Sequence, residues 1–460
     1  MRDRKIMALM ISVILAVGLM AGCAGSGAGG TSGAAGVSQA QTAVAETTGG
    51  AESDNGPQAQ TEGTEVTGDA GATDAGATTS GPQAQTEGTA VTGDAGATDA
   101  GATSGAQAQA VTPQTYAAPA THIVIDHDGD AVEVPVQIDR VAVSSIWPLS
   151  AFLTMYLGSA EKIVGVAPAP MAAAANGTLG KLFPEYLEAD TQWVQGDVIN
   201  VEELMKLDPD VVFVAAPGGA EKEALKAAGI PCISISATKW NYDTVETFDR
   251  WLEVLEQVFP GQSRVAGVSQ YSHSVFDEVQ ERTRDIPEGE RARALFLFQY
   301  TDSVMITSGE KFFGHYWITA VGGENVAGGM TEAGSNAVIN MEQVYEWDPE
   351  VIYITNFTPT QPEDLYTNAI GGDDWSGVSA VKNRRVYKMP LGAYRTYTPG
   401  VDTPLTLKWM AVTMYPDLFA DIDIVQEAKD YYSDFFGVTL SDEDVEAMFN
   451  PPGAAGSYRR

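Results

Sequence analysis

The chain has 460 residues and a formal net charge of −35. An acidic excess of that size excludes nucleic acid, whose phosphates require cationic contacts, and an anionic membrane surface as direct partners. Composition is uneven: residues 24–120 are dominated by Gly, Ala, Thr, Gln and Ser with no Lys or Arg, whereas the following 340 or so residues read as ordinary globular protein, enough for a large core.

The first segment is an address. Residues 1–5, MRDRK, are positively charged, and an apolar run follows from Ile6 to Met20, ending in Ala21-Gly22-Cys23. This is a secretory signal, too short for a membrane-spanning helix. Its end resembles a bacterial lipobox, with Met20 where Leu is commoner. The resemblance implies removal of residues 1–22 and lipid attachment to Cys23. The other cysteine, Cys232, lies in the apolar run after Pro231 and reads as a small buried hydrophobe.

Residues 23–120 read as a disordered tether. A 25-residue unit starts at Gly56 and again at Gly81, with one Val per unit and no aromatic residue. Stacked copies would bury nothing, so ordering entropy wins.

The folded part begins with a β-hairpin, His122–Ile125 and Val132–Val136, around Asp128-Gly129-Asp130. Apolar runs from Arg140 and from Ile163 follow, each leading into a helical stretch, as in βαβ units. Residues 198–214, VINVEELMKLDPDVVFV, then return as residues 338–354, VINMEQVYEWDPEVIYI, with seven of 17 positions identical at an offset of 140. Each copy predicts a helix capped by Asn200 or Asn340, stopped before Asp-Pro, feeding a buried parallel strand. Two copies of one unit predict two α/β lobes. Between them, Val265, Val268, Tyr271, Val275, Phe276 and Val279 keep a helical spacing long enough to bridge. The expected boundaries are an N-terminal lobe over 121–262, a bridging helix over 263–285, a C-terminal lobe with closing helices over 286–440, and a tail over 441–460.

This order of elements resembles the substrate-binding lipoproteins of iron-complex (siderophore or haem) and cobalamin ABC importers. The features that carry the resemblance are Arg140-Val, Leu207-Asp-Pro-Asp-Val-Val-Phe-Val, Ala228-Gly-Ile-Pro, Gly322-Gly-Glu-Asn-Val-Ala, Asp348-Pro-Glu-Val-Ile, and Trp375 before Val381-Lys-Asn-Arg-Arg-Val-Tyr. It covers about residues 121–440. It implies two Rossmann-like lobes with parallel sheets joined by a single long helix, and a ligand held between them. It further implies a permease dimer with a cytoplasmic ATPase as partner, and a lipid-anchored place outside the cytoplasmic membrane, with the long tether suiting a thick wall. Glu202 and Glu342 match the acidic pair, one per lobe, that meets permease arginines; helix-terminus electrostatics is the plainer account of the same two residues.

No enzyme constellation emerges. His122, His127, His273 and His315 are scattered, and HExxH, GxSxG, Walker and dinucleotide patterns are missing. No cofactor and no bare-metal site is expected. Ligand contacts are expected on loops after strand ends. The chosen residues are Trp147 and Trp240 from the first lobe, and Tyr300, His315, Tyr316, Arg395 and Tyr397 from the second. Aromatic planes suit an organic metal chelate, and an arginine suits its carboxylate or phosphate groups. A ferric siderophore is the first expectation, with a corrinoid or haem next. A tethered cell-surface enzyme and an adhesion module are the alternatives from other classes.

Overall fold

Two short runs of Val, Ile, Leu and Phe, buried on both faces, set the architecture, because parallel strands must be covered by helices on each side. The computed structural model describes residues 120–195, 198–331 and 336–456. The signal segment, Cys23, the 25-residue repeats and residues 457–460 lie outside them.

The chain opens with β1 (Thr121–Ile125) and β2 (Ala131–Pro135), then runs β3 (Val141–Val143), α1 (Trp147–Leu157), β4 (Ile163–Val166), α2 (Pro168–Asn176) and α3 (Thr178–Leu182). It continues through β5 (Val194–Gln195), β6 (Val198–Ile199), α4 (Val201–Lys206), β7 (Val211–Ala215), α5 (Gly219–Ala227), β8 (Cys232–Ile235) and α6 (Thr244–Val258). Helix α7 (Val268–Thr283) leads to β9 (Arg293–Leu297), β10 (Gln299–Thr301), β11 (Val304–Ser308), α8 (Phe313–Ala320), β12 (Glu324–Asn325) and β13 (Asn336–Val338). Then come α9 (Met341–Trp347), β14 (Val351–Ile354), α10 (Pro362–Tyr366), α11 (Ser379–Lys382), β15 (Val386–Lys388), α12 (Thr403–Met414), α13 (Ile424–Phe436) and α14 (Asp442–Phe449).

The first lobe holds a parallel sheet in the order β4-β3-β7-β8, and the second a parallel sheet in the order β12-β9-β14-β15. Counted within each lobe, both orders are the same, and the duplicated segments supply the third strand of each. Both predicted asparagine caps form. The Asn200 side chain accepts from the N–H groups of Glu202 and Glu203, and Asn340 exchanges bonds with Gln343 in a capping box. An antiparallel sheet, β10-β11-β13, is added in the second lobe.

The bridging stretch contains the 16-residue α7, about 24 Å long at 1.5 Å per residue. Helix α12 packs alongside it. The chain then returns to the first lobe. Leu391, Tyr394, Val401, Tyr431, Tyr432, Val445 and Met448 join the core of Val141, Phe152 and Trp251. The 441–460 stretch, expected as a tail, therefore needs correction over its described part: it carries α14, whose apolar residues require a core and find it there.

The first hairpin is fastened by charge. Asp126 Oδ1 accepts from the N–H groups of Asp128 and Asp130, both at 3.0 Å, and its Oδ2 from Ser234 N–H at 3.0 Å. The buried Lys222 ammonium completes the site, 2.6 Å from Asp126, 3.3 Å from Asp128 and 2.7 Å from Asp130. Removing one partner of a buried pair strands the other charge. Lys222→Met is therefore expected to cost about 3 kcal/mol of unfolding free energy in a urea titration; an unchanged midpoint would show that the hairpin does not need this pair.

Candidate functional site

The loops that leave the C-terminal ends of the sheet strands carry the candidate site, as open α/β sheets dictate. The stretch 389–402, which follows β15, is the longest of them. It is built from the inside out. The Lys388 ammonium donates to three backbone carbonyls, Thr355 at 2.9 Å, Thr358 at 2.7 Å and Thr360 at 2.7 Å, tying the end of β15 to the loop after β14. Burial first, and the Arg395 charge second, draw its pKa down to about 7; the three carbonyls resist, since only the ammonium form fills all three. The Asn356 amide donates to the carbonyls of Met389 at 2.8 Å and Pro390 at 2.9 Å. Asp402 closes the loop on itself, accepting from Ala393 N–H at 2.7 Å and from the Tyr432 hydroxyl at 2.7 Å. A Cβ on Gly392 would stand 2.3 Å from that carboxylate, so a side chain there cannot coexist with the closure.

Arg395 stands at the centre of this loop with no exposed surface. Its Nη2 donates to the Ala455 carbonyl at 2.8 Å and lies 3.4 Å from the carbonyl of Ala169, in α2 of the first lobe. Its guanidinium carbon sits 4.6 Å from the centre of the Phe357 ring in the second lobe, a cation–π contact. One predicted residue thus touches both lobes. The space enclosed beside it, lined by Phe152, Tyr394, Thr396 and Asp402 among others, is about 10 Å³, room for one water.

The other predicted residues divide. Trp147 opens α1 directly after β3, half-buried against the first-lobe core. Trp240 is half-buried in the loop after β8 and packs edge-on against His127 of the first hairpin, ring centres 4.8 Å apart. His315 is half-buried on α8, its Nδ1 3.4 Å from the Asn325 amide, and burial lowers its pKa. Tyr316 reaches the first lobe at the start of α6; burial, then the Asp243 charge, raise its pKa.

Two choices are corrected. Tyr300 belongs to the second-lobe core beside Leu295, Ile352 and Ile354; its hydroxyl donates to Asp373 at 2.8 Å and accepts from Trp375 Nε1 at 2.9 Å. Tyr397 is buried among Phe296 and Phe298, and its hydroxyl is occupied by Gly314 N–H at 3.1 Å and by Ser308. A loop tyrosine flanked by glycines looks available for a ligand; both of these hydroxyls are instead committed to the protein. Tyr242, Phe357, Lys388 and Asp402 were not singled out from the sequence. Tyr242 meets Phe312 and Phe313 across the lobes at 5.5 and 5.3 Å. Nothing local in the sequence marks Phe357, which stands in the loop after β14.

A family model described as periplasmic binding protein matches residues 154–391, more than half of the 460-residue chain. The chain belongs to this family. Among its relatives, the molybdate-binding protein MolA of Haemophilus influenzae is 24% identical over 72% of this chain and 95% of its own length. The ABC transporter substrate-binding lipoprotein YvrC of Bacillus subtilis is 22% identical over 65% of this chain and 87% of its own. The crystal structure of a periplasmic solute binding protein from Veillonella parvula superposes with a TM-score of 0.63 at 28% identity, covering 72% of this chain and 97% of that one. The periplasmic binding protein described here is therefore the substrate-binding component of an ABC importer, working with permease and ATPase components, and not an enzyme. No helix among the described residues is long and apolar enough to cross a membrane.

Burial holds the Asp402 pKa up to about 6, against 3.8 for a free side chain, although Tyr432 and Ala393 N–H favour its charge. A raised carboxyl contributes stability that is whole below the unfolded pKa and is lost as pH rises through the folded one. Wild type is expected to lose stability relative to Asp402→Asn between pH 4 and pH 7, by roughly 3 kcal/mol at 1.4 kcal/mol per unit. Urea midpoints across that range check it; parallel pH profiles would show that Asp402 does not titrate there.

Proposed function

We propose that this binding protein captures an anionic, metal-bearing solute between its lobes, with Arg395 as the anchoring cation. The observation that carries the reading is the complete burial of that guanidinium at the contact of Ala169 with the second-lobe loops. A buried guanidinium offers directional, charge-assisted donors to an oxyanion or carboxylate. The neighbouring Lys388 holds the loop that carries Phe357 in place through three carbonyls. A compact oxyanion of the molybdate kind asks for the least parting of the lobes around this water-sized space, and MolA is named for that ligand. A ferric siderophore, the first expectation from the sequence, is the second reading, favoured by the aromatic surfaces of Trp147, Tyr242, Phe312 and Phe357 near the lobe contact. It requires the lobes to part further than an oxyanion does, and a corrinoid or haem further still.

Calorimetric titration with molybdate, a ferric catecholate chelate, haem and cobalamin separates these readings. Arg395→Gln is expected to weaken the bound solute about 100-fold, in line with loss of a charge-assisted pair, with folding checked by the thermal midpoint. Unchanged affinity in a folded Arg395→Gln protein would remove Arg395 as the anchor.

Delivery would use the duplicated helices. Glu202 and Glu342 are exposed at the second position of α4 and α9, and each is flanked by exposed apolar residues at matching places. These are Val198 and Met205 on one lobe, and Val338 and Tyr345, 140 positions later, on the other. Two carboxylates so placed fix a docking register on permease arginines. Glu202→Arg and Glu342→Arg are expected to leave solute affinity intact and to cut uptake in cells at least ~10-fold, since like charges facing each other cost several kcal/mol; normal uptake by both variants would assign the pair to helix stability alone. The signal sequence and Cys23 support export and lipid attachment, with residues 23–120 as the tether.

A further inference from the structure

Residues 450–456, Asn-Pro-Pro-Gly-Ala-Ala-Gly, carry no charge, yet they lie against the most buried cation of the binding protein. Ala455 has no exposed surface and Gly456 is buried. The short turn Gly453–Gly456 packs against α2 of the first lobe on one side and the 358–361 loop of the second on the other. Its glycines are needed for that seat. A Cβ on Gly456 would stand 2.5 Å from the Thr358 carbonyl, and one on Gly453 2.6 Å from the Pro359 carbonyl oxygen. Both obstacles are backbone, which cannot swing aside. The polar tie is the bond from Arg395 Nη2 to the Ala455 carbonyl at 2.8 Å.

We propose that the 453–456 turn is a tethered competitor of the solute: its Ala455 carbonyl holds the Arg395 guanidinium, and an incoming anion displaces it. The proposal rests on Arg395 being the anchor. A guanidinium out of water needs acceptors, and the turn supplies a neutral one. The bond to the carbonyl is already assisted by the guanidinium charge; an anion adds an opposite charge and a second acceptor oxygen, making the pairing bidentate. An uncharged solute brings no opposite charge and competes with the turn on less favourable terms. The turn thus acts as a threshold that selects for charge. Being attached to α14, it competes at an effective concentration near millimolar, which a solute must overcome.

Molybdate and a ferric catecholate chelate are the probes, titrated into the full chain, a chain ending at Pro452, and Gly456→Val, which keeps the segment but forbids its seat. Both altered proteins are expected to bind the preferred probe roughly 10-fold more tightly than the unaltered chain, because the fraction of competent sites rises. Hydrogen exchange of the 453–456 amides in the unaltered chain is expected to quicken when that probe is added. Equal or weaker binding by both altered proteins, with Arg395→Gln still defective, would overturn the competitor and leave the anchor standing. Failure of all three proteins to bind either probe would remove both.

Discussion

A guanidinium with no exposed surface is tolerated only where acceptors converge on it, and in this protein the acceptors come from distant parts of the chain. Ala169 belongs to the first lobe, Phe357 to the second, and Ala455 to the segment that follows the last helix. Each of these contacts helps offset the cost of keeping a guanidinium out of water. The contacts of this one side chain therefore draw both lobes and the final segment together.

Around that centre the loop 389–402 is held by groups that are themselves buried. Lys388 gathers the 355–360 turn, Asn356 grips the start of the loop, and Asp402 grips its end and reaches Tyr432 on α13. Rigid supports of this kind matter because a binding group misplaced by about 1 Å loses much of its effect. The chain goes back to the first lobe after β15, and Tyr432 meets Asp402 there.

Much of this was legible beforehand, and the reason is locality. The hairpin turn, the two asparagine caps, the Asp-Pro stops and the buried strands are each written in a handful of adjacent residues, and the offset of 140 joined them into two matching lobes. The cleft was harder, because its residues meet only after the chain has folded. Arg395 stood out as a charge between aromatics. Tyr300 and Tyr397 misled for the same reason, since nothing nearby in sequence announces Trp375, Asp373 or Ser308 as partners of their hydroxyls. Lys388 was passed over because a lone lysine at a strand end normally faces water; its three carbonyl acceptors belong to a loop some 30 residues away.

The hairpin at the start of the folded region has one more property. Asp126, Asp128 and Asp130 crowd around a glycine turn, and an amine from α5 occupies the middle. The counter-ion is covalently part of the chain. With lysine built in, the three carboxylates of the hairpin share a positive charge without drawing an ion from the surroundings.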